Sequence, residues 1–518
     1  MVIAGPSTAG PALSGLEPLR LTAPLAAPVP GSGRRSVTGR LFLTVCLVYL
    51  LHFASNVVRE TYLAVSLGDR LSIRVDEYLG LHPDLFEIPG RGAFINNNPG
   101  ASMLGAVPYA LARPFMAGLF RLRPELVRPK PAARYDDPRP NRTRFFNEAR
   151  ARGLDIKLGL AAAAMHVGLM VPLAGLAAVV MFRFLAVRLR DERTALWLAL
   201  LYAFGTPIFF RSAFLNQNAI VAHCVLLGFV AMAGTEPSPP TTRRRLLAGA
   251  LLGLALLTDY SAAPLIAAFG VWATMEGWSR GGVGAGLRAA GEFSLGAAGP
   301  LALLFGYQWA AFGHPLLPAQ AYMPDTHLSV RGWHGFTLPD PTLLRGNLFD
   351  PRYGLLVFCP MLAVALAAPF LRRRPGGPTG PELGFILGAS LALYLFNSSV
   401  QFALLQFNTG VRYMVPAVPL LFLAVVPVLL RLPRGWTWAL VVPTVAISWS
   451  VAMARESVPV SLMRIFLGGF ELPWLTVLRK TSSAYLPWLE RGASPLALFV
   501  LAGVVLWLLW RPRTARAD

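Results

Sequence analysis

Along this chain apolar and polar positions come in long blocks, not in the short periods of a soluble helix or strand. Runs of roughly 15 to 25 residues almost free of charge recur from position 41 to position 510, and an α-helix needs that length to cross a bilayer core. Candidate spans fall at 41–58, 160–182, 194–210, 219–234, 246–257 with 262–274, 294–312, 354–371, 383–396, 413–430, 437–454 and 495–510. The predicted fold class is an all-α polytopic membrane protein with about 11–13 transmembrane helices. Segment 101–120 is also apolar, but counting it as a span inverts every later loop, and Pro108 and Pro114 would interrupt a straight helix. It is expected to lie as an interfacial or re-entrant helix within a long outer loop, 59–158.

Composition agrees with the blocks. Of 518 residues, 55% are hydrophobic and 14% are charged, against roughly 25% charged in a soluble domain. Lys plus Arg is 47 and Asp plus Glu 26, so the net charge is 47 − 26 = +21. Such a surplus suits nucleic acid or anionic lipid, and its placement decides between them. With the N-terminus in the cytoplasm, the basic residues fall in every second loop: Arg183, Arg188, Arg190 and Arg193; Arg243 to Arg245; Arg280 and Arg288; Arg372 to Arg374; Arg431 and Arg434; Arg511, Arg513 and Arg516. That alternation is the positive-inside pattern, so much of the charge is topology and a nucleic-acid partner is not expected. The predicted organisation is a disordered cytoplasmic tail at 1–40, a transmembrane domain at 41–510 and a short cytoplasmic tail at 511–518, in the cytoplasmic membrane. Cys46, Cys224 and Cys359 lie in or beside apolar runs and form no metal or disulfide pattern.

Acidic residues are scarce, yet several follow the first span closely. Arg59-Glu60-Thr61-Tyr62 is followed by Asp76-Glu77, by Asp84 and Glu87, and by Asn96-Asn97-Asn98-Pro99-Gly100. A carboxylate at a membrane exit is partly desolvated, which raises its proton affinity while substrate still enters from the aqueous face. One or more of these groups is expected to act as a general base; for any one of them, solvating the loop is the competing role.

The order of features resembles the GT-C glycosyltransferases. It is most similar to bacterial proteins of the dolichyl-phosphate-mannose protein mannosyltransferase type, glycosyltransferase family 39. The likeness rests on the carboxylates after the first span, Pro99-Gly100 before a short amphipathic helix, Gly205-Thr206-Pro207 with Asn216-Gln217, Phe349 to Leu356 running to Cys359-Pro360, and Thr409-Gly410-Val411-Arg412-Tyr413. It covers most of 41–430. The resemblance implies transfer of a hexosyl or pentosyl group from a polyprenyl-phosphate donor to a glycan, lipid or protein acceptor on the outer face. It implies Glu60 or Asp76 as the catalytic or site-organising carboxylate and Arg412 as the contact to the donor phosphate. Asn97-Asn98 stand where related chains often carry Lys, and Val411 stands for a Pro, so Arg352 is expected to assist in holding the donor beside Asn97 and Asn98. Arg suits a phosphate because its planar fork binds bidentately and stays charged.

Two other classes compete: a lipid or solute transporter or flippase, and a non-catalytic scaffold with this fold. The first predicts inverted repeats with broken helices, and no such internal repeat is visible. His223, with Asn216, Gln217 and Asn218, either lines a cavity or packs a helix, and Asp259 sits in a polar break or serves function. His314, Asp325, His327 and His334 match no metal-ligand spacing, so no metal site is assigned, and a need for a divalent cation is not legible. The basic stretch 121–157 is a solvated loop or a contact to membrane lipids or acceptor phosphates.

Overall fold

The computed structural model describes residues 34–131, 134–135, 140–234, 239–371, 376–406, 410–481, 485–489 and 492–511. Of the tail expected to be disordered at 1–40, residues 1–33 lie outside the described residues, as do Arg372 to Arg374, Asn408, Thr409, Arg513 and Arg516, whereas 34–40 is the first part of the helix Arg34–Leu51, which the apolar run that follows continues.

Most of the structure is helical. Among the described residues, four helices are long and apolar enough to cross a membrane: Gly100–Leu122, Asp155–Leu189, Tyr260–Phe312 and Arg434–Ala454. A fifth is reached if Val458–Gly468 and Pro473–Thr481, bent by 76°, count as one span. Other predicted spans form shorter apolar helices, among them Val37–Leu51, Gln217–Ala233, Val415–Leu429 and Leu496–Trp510. Prolines and glycines account for part of the shortening. Thr206-Pro207 ends the helix Glu192–Gly205, and the run between Pro360 and Pro369 forms an eleven-residue 3-10 helix, Pro360–Phe370. At about 2.0 Å rise per residue a 3-10 helix reaches further per residue than an α-helix does.

Three expectations change. Gly100–Leu122 is one continuous 23-residue helix through Pro108 and Pro114. Pro108 packs where a side chain on Gly168 would stand, 2.5 Å from a Cβ built there, inside the π-helical turn His166–Met170. A local widening of one helix thus makes room for the proline of another. Second, no open loop separates the spans around Arg280 and Arg288. The helical run Ala263–Phe312 instead folds back at Gly281-Gly282, with Gly282 at φ +70°, into arms 263–280 and 283–312. A Cβ on Gly277 would stand 2.6 Å from Ala285 O, so the arms are in contact next to the turn. Third, the outer loop holds a small antiparallel sheet, β1 (Leu85–Ile88) and β2 (Gly92–Ile95), with Leu85 opposite Ile95.

Helix Thr242–Thr258 meets the second arm through Gly249 and Gly253, four residues apart. A Cβ on Gly249 would collide with Phe293 O, and one on Gly253 would stand 2.9 Å from Ala297 O. Small residues at this spacing let helix backbones approach closely where hydrocarbon offers no hydrophobic drive.

Several arginines of the basic loops tie helix ends together. Arg188 donates to both Glu382 oxygens at 2.6 and 2.7 Å and to Gly234 O at 3.1 Å. Arg244 donates to Ala231 O at 2.6 Å, and Arg245 to Glu292 at 2.6 Å. The ends of five helical segments therefore meet around Arg188, Arg244 and Arg245 at one end of the bundle. Glu382 also completes a capping box with Thr379 at the start of Gly380–Ser399, so one residue caps a helix and ties two elements.

Candidate functional site

At the opposite end lie the 59–158 loop and the exits of the same helices. Helix Arg59–Arg70 begins with the residue pair on which the site is built. Glu60 is 1% exposed, and its Oε1 accepts from Arg59 Nε at 3.0 Å and from Asn97 Nδ2 at 2.8 Å. Arg59 NH1 reaches Asp84 Oδ2 at 2.5 Å. The β-hairpin makes this possible: Asp84 precedes β1, Asn97 follows Asn96 after β2, and Asn96 N donates to Asp84 O at 3.0 Å. Both ends of the hairpin therefore close on Arg59-Glu60, one through a carboxylate and the other through an amide.

The adjoining turn is fixed against helix Thr242–Thr258. Asn98 Nδ2 donates to Leu256 O at 2.6 Å. A Cβ on Gly100 would stand 2.7 Å from both Leu257 O and Thr258 Oγ1, so only glycine permits this approach. Asp259 follows at once, capping the turn by accepting from Ser261 N at 2.8 Å. It lies in the polar break of the two readings and adds negative charge to the surroundings of Arg59.

Helix Gln217–Ala233 supplies the opposite wall. Asn216 caps its start by accepting from Ala219 N at 2.9 Å, which leaves Gln217 and Asn218 in the first turn. With the Gln217 amide oriented so that its oxygen faces the two guanidinium groups, it accepts from Arg59 NH2 at 3.1 Å and from Arg412 NH2 at 2.6 Å. Arg412 Nε also donates to Asn218 Oδ1 at 3.2 Å. Arg412 is half-buried, and among the described residues no carboxylate lies within ion-pair distance of it. Its loop is built for that placement. Gln406 Oε1 accepts from the backbone N–H groups of Arg412 and Tyr413, each at 3.2 Å, and Gln406 is held by Asn347 at 2.8 Å. Gly410 turns the chain at φ +74° where Phe358 occupies the space of a side chain.

The electrostatics follow from these contacts. Burial opposes the charge of Asp84, but Arg59, His82 and Arg412 outweigh it and hold its carboxyl below the usual range. Burial likewise opposes the charge on Arg59, yet Glu60 and Asp84 hold the guanidinium firmly protonated. Burial lowers the proton affinity of His82, whose Nδ1 accepts from Asp84 N at 3.1 Å.

Of the residues expected from the sequence, Glu60, Asn97 and Arg412 are brought together, with Asn98 anchoring the neighbouring turn. Asp76 and Arg352 are engaged elsewhere. Asp76 Oδ1 accepts from Ala93 N at 2.6 Å and the carboxylate pairs with Arg74 at 2.8 Å, so it fastens β2 to the preceding turn. Its side chain is 46% exposed. Arg352 lies 60% exposed, bound in two-point fashion to Asp350 at 3.1 and 2.9 Å. Neither is joined to the cluster by a hydrogen bond or ion pair among the described residues. His223 is buried beside Ser212 Oγ at 3.4 Å. The sequence reading gave no role to Arg59, His82 or Gln406, and held Asp84 only as one of several candidate carboxylates. The signal for Arg59 and Asp84 was their place in the acidic cluster after the first span, whereas nothing local marks Gln406. Among the described residues no three His, Cys, Asp or Glu side chains gather as a metal would require.

The arrangement is a buried carboxylate beside two guanidinium groups that share one amide oxygen, one of them faced only by neutral acceptors. Such a pocket is suited to an anion next to a proton acceptor. No family model, curated protein or solved structure matches the chain.

Proposed function

We propose that this chain is an integral-membrane glycosyltransferase of GT-C architecture, with about 11–13 helices crossing or entering the bilayer. It moves a sugar from a polyprenyl-phosphate donor to an acceptor on the outer face of the cytoplasmic membrane. The observation that carries this reading is Arg412. A half-buried cation with no carboxylate within ion-pair distance among the described residues leaves charge to be met by a ligand, and Gln217 and Arg59 link it to buried Glu60 at the end of the bundle away from Arg188, Arg244 and Arg245. Asn218 supports it, because its Nδ2 is buried without an acceptor next to the same guanidinium.

In this reading the acceptor hydroxyl attacks the anomeric carbon, the bond from that carbon to the phosphate oxygen breaks, and the hydroxyl proton passes to Glu60. Arg412 and Arg59 receive the charge that builds on the departing phosphate. The Arg59–Glu60 contact couples the two events. A phosphate competing for Arg59 loosens its hold on Glu60 and frees that oxygen for the acceptor hydroxyl. Asp76 serves as an organiser of the loop and Arg352 as a surface contact for the donor or acceptor. The test is mass spectrometry of the protein purified in mild detergent, followed by turnover with synthetic polyprenyl-phosphate sugars. A co-purifying polyprenyl-phosphate sugar and turnover that needs Glu60 and Arg412 are expected; neither appearing with any donor in the panel would overturn the proposal.

A further inference from the structure

His82 stands beside Arg59 and Asp84 and has no part in the transfer steps proposed above. Its placement follows from a local turn. Leu85 N donates to His82 O at 3.2 Å across Pro83, and Asp84 N donates to His82 Nδ1 at 3.1 Å. The same turn sends the Asp84 carboxylate to Arg59 at 2.5 Å, with Oδ2 only 3.8 Å from His82 Nδ1. One carboxylate therefore separates the imidazole from the Arg59 guanidinium. The ring also lies edge-on to that of Tyr62, two residues after Glu60, at 6.3 Å between centroids.

This geometry fixes what the ring can offer. Because Nδ1 accepts a hydrogen bond, the neutral imidazole carries its proton on Nε2. Among the described residues Nε2 makes no hydrogen bond, and the His82 side chain is 25% exposed, against 12% for Arg59 and 1% for Glu60. The site thus opens toward water from Glu60 through Arg59 to His82. Burial, with Arg59 and Arg412 acting in the same direction, lowers the proton affinity of the ring against the pull of Asp84 and Glu60, so it is neutral at pH 7. Charge-assisted hydrogen bonds are about twice as strong as neutral ones, so a phosphate goes to the guanidinium groups and leaves the uncharged N–H for a neutral oxygen. A sugar joined to a phosphate on Arg59 and Arg412 brings such oxygens, its hydroxyls, next to that phosphate.

Resting on the proposed polyprenyl-phosphate donor, we infer that His82 is a sugar-binding residue of that site: its Nε2–H donates to a hydroxyl of the donor's sugar, while its Nδ1 holds the turn that carries Asp84. Two substitutions separate the halves of the ring. Asn sets its Oδ1 where Nδ1 stands and keeps an acceptor for Asp84 N–H, a turn that Asn favours, but it reaches no further. Gln sets an amide N–H near the position of Nε2. The experiment measures dissociation constants of the full chain in mild detergent for undecaprenyl phosphate and for the same lipid phosphate carrying glucose or mannose. His82→Asn should weaken the better-bound sugar-bearing lipid about fivefold and leave undecaprenyl phosphate within about twofold. His82→Gln should keep most of the affinity that His82→Asn loses. Unchanged affinity for the sugar-bearing lipid in His82→Asn, or an equal loss for that lipid and undecaprenyl phosphate, would overturn the inference and leave the proposed donor class standing. Binding of none of the three lipids to the unaltered protein would overturn both.

Discussion

Arg59 and Arg412 come from opposite ends of the chain and meet on one acceptor, the side-chain oxygen of Gln217, at 3.1 and 2.6 Å. Two like charges this close repel, and the repulsion is tolerable because Glu60 and Asp84 flank Arg59. Arg412 has no carboxylate within ion-pair distance among the described residues and feels Asp84 only from further away, so the pair is balanced more fully on the Arg59 side.

Glu60→Gln should lower sugar transfer by about a hundredfold or more, the usual contribution of a general base. Asp76→Asn should cost only a few-fold, since Asp76 is tied to Ala93 N and Arg74. Rates in a defined transfer assay, with folded yield from gel filtration, separate the two. A larger loss from Asp76→Asn than from Glu60→Gln would reverse their roles.

Arg412→Lys should weaken donor binding nearly as much as Arg412→Ala. A point charge cannot reproduce the fork that reaches Gln217 and Asn218 while facing a phosphate. The loss expected is about 2 kcal/mol, or roughly thirtyfold in affinity. Near-normal donor affinity with lysine would show that Arg412 only anchors its helix end at the interface.

Acidification should loosen the outer loop before the rest of the protein. His82 and Asp84 both have lowered proton affinity in the fold. The unfolded loop binds more protons than the folded one, so stability rises with pH. His82's share is present above its unfolded value near 6.5 and is lost as pH falls through its lower folded value. That of Asp84 is present above about 4 and disappears only in stronger acid. Limited proteolysis of the loop between pH 7 and 5 should show faster cleavage at the acid end, and His82→Gln should flatten that slope. A slope of the opposite sign would rule out this account.

Gly100→Ala should destabilise the protein by about 1–3 kcal/mol and reduce activity, because its methyl group would press on Leu257 O and Thr258 Oγ1 at 2.7 Å. Thermal unfolding in detergent measures the first effect and turnover the second. An unchanged melting temperature would mean that the turn 96–100 docks more loosely than these distances imply.

Cysteines at Arg91 and Asp325 should react with an impermeant thiol reagent added outside intact cells, and one at Arg243 should not. All three positions are exposed, and native Cys224 and Cys359 are buried. Labelling at position 243 from outside would invert the orientation and move the proposed site to the cytoplasm.

The sequence by itself determined the membrane class, the approximate helix positions and the alternation of basic loops, because hydrophobic length and charge are local properties. Arg188, Arg244 and Arg245 bind groups on neighbouring helix ends. It also marked the first-loop carboxylates and Arg412 as chemically interesting. What it left open was which of them share a site. Asp76 and Asp84 are both acidic residues of one loop, and only the pairing of Leu85 with Ile95 sends Asp84 to Arg59 and leaves Asp76 on Ala93 N. In the same way, Asn97 meets Glu60 only because the hairpin brings its two ends together. Gln217 meets both arginines only because the helices converge. The folded hairpin at Gly281-Gly282 read as a loop, since a positive φ at one glycine reverses a helix without interrupting its apolar pattern. Contacts between residues far apart in the chain depend on register and packing, which leave no local trace in composition or spacing.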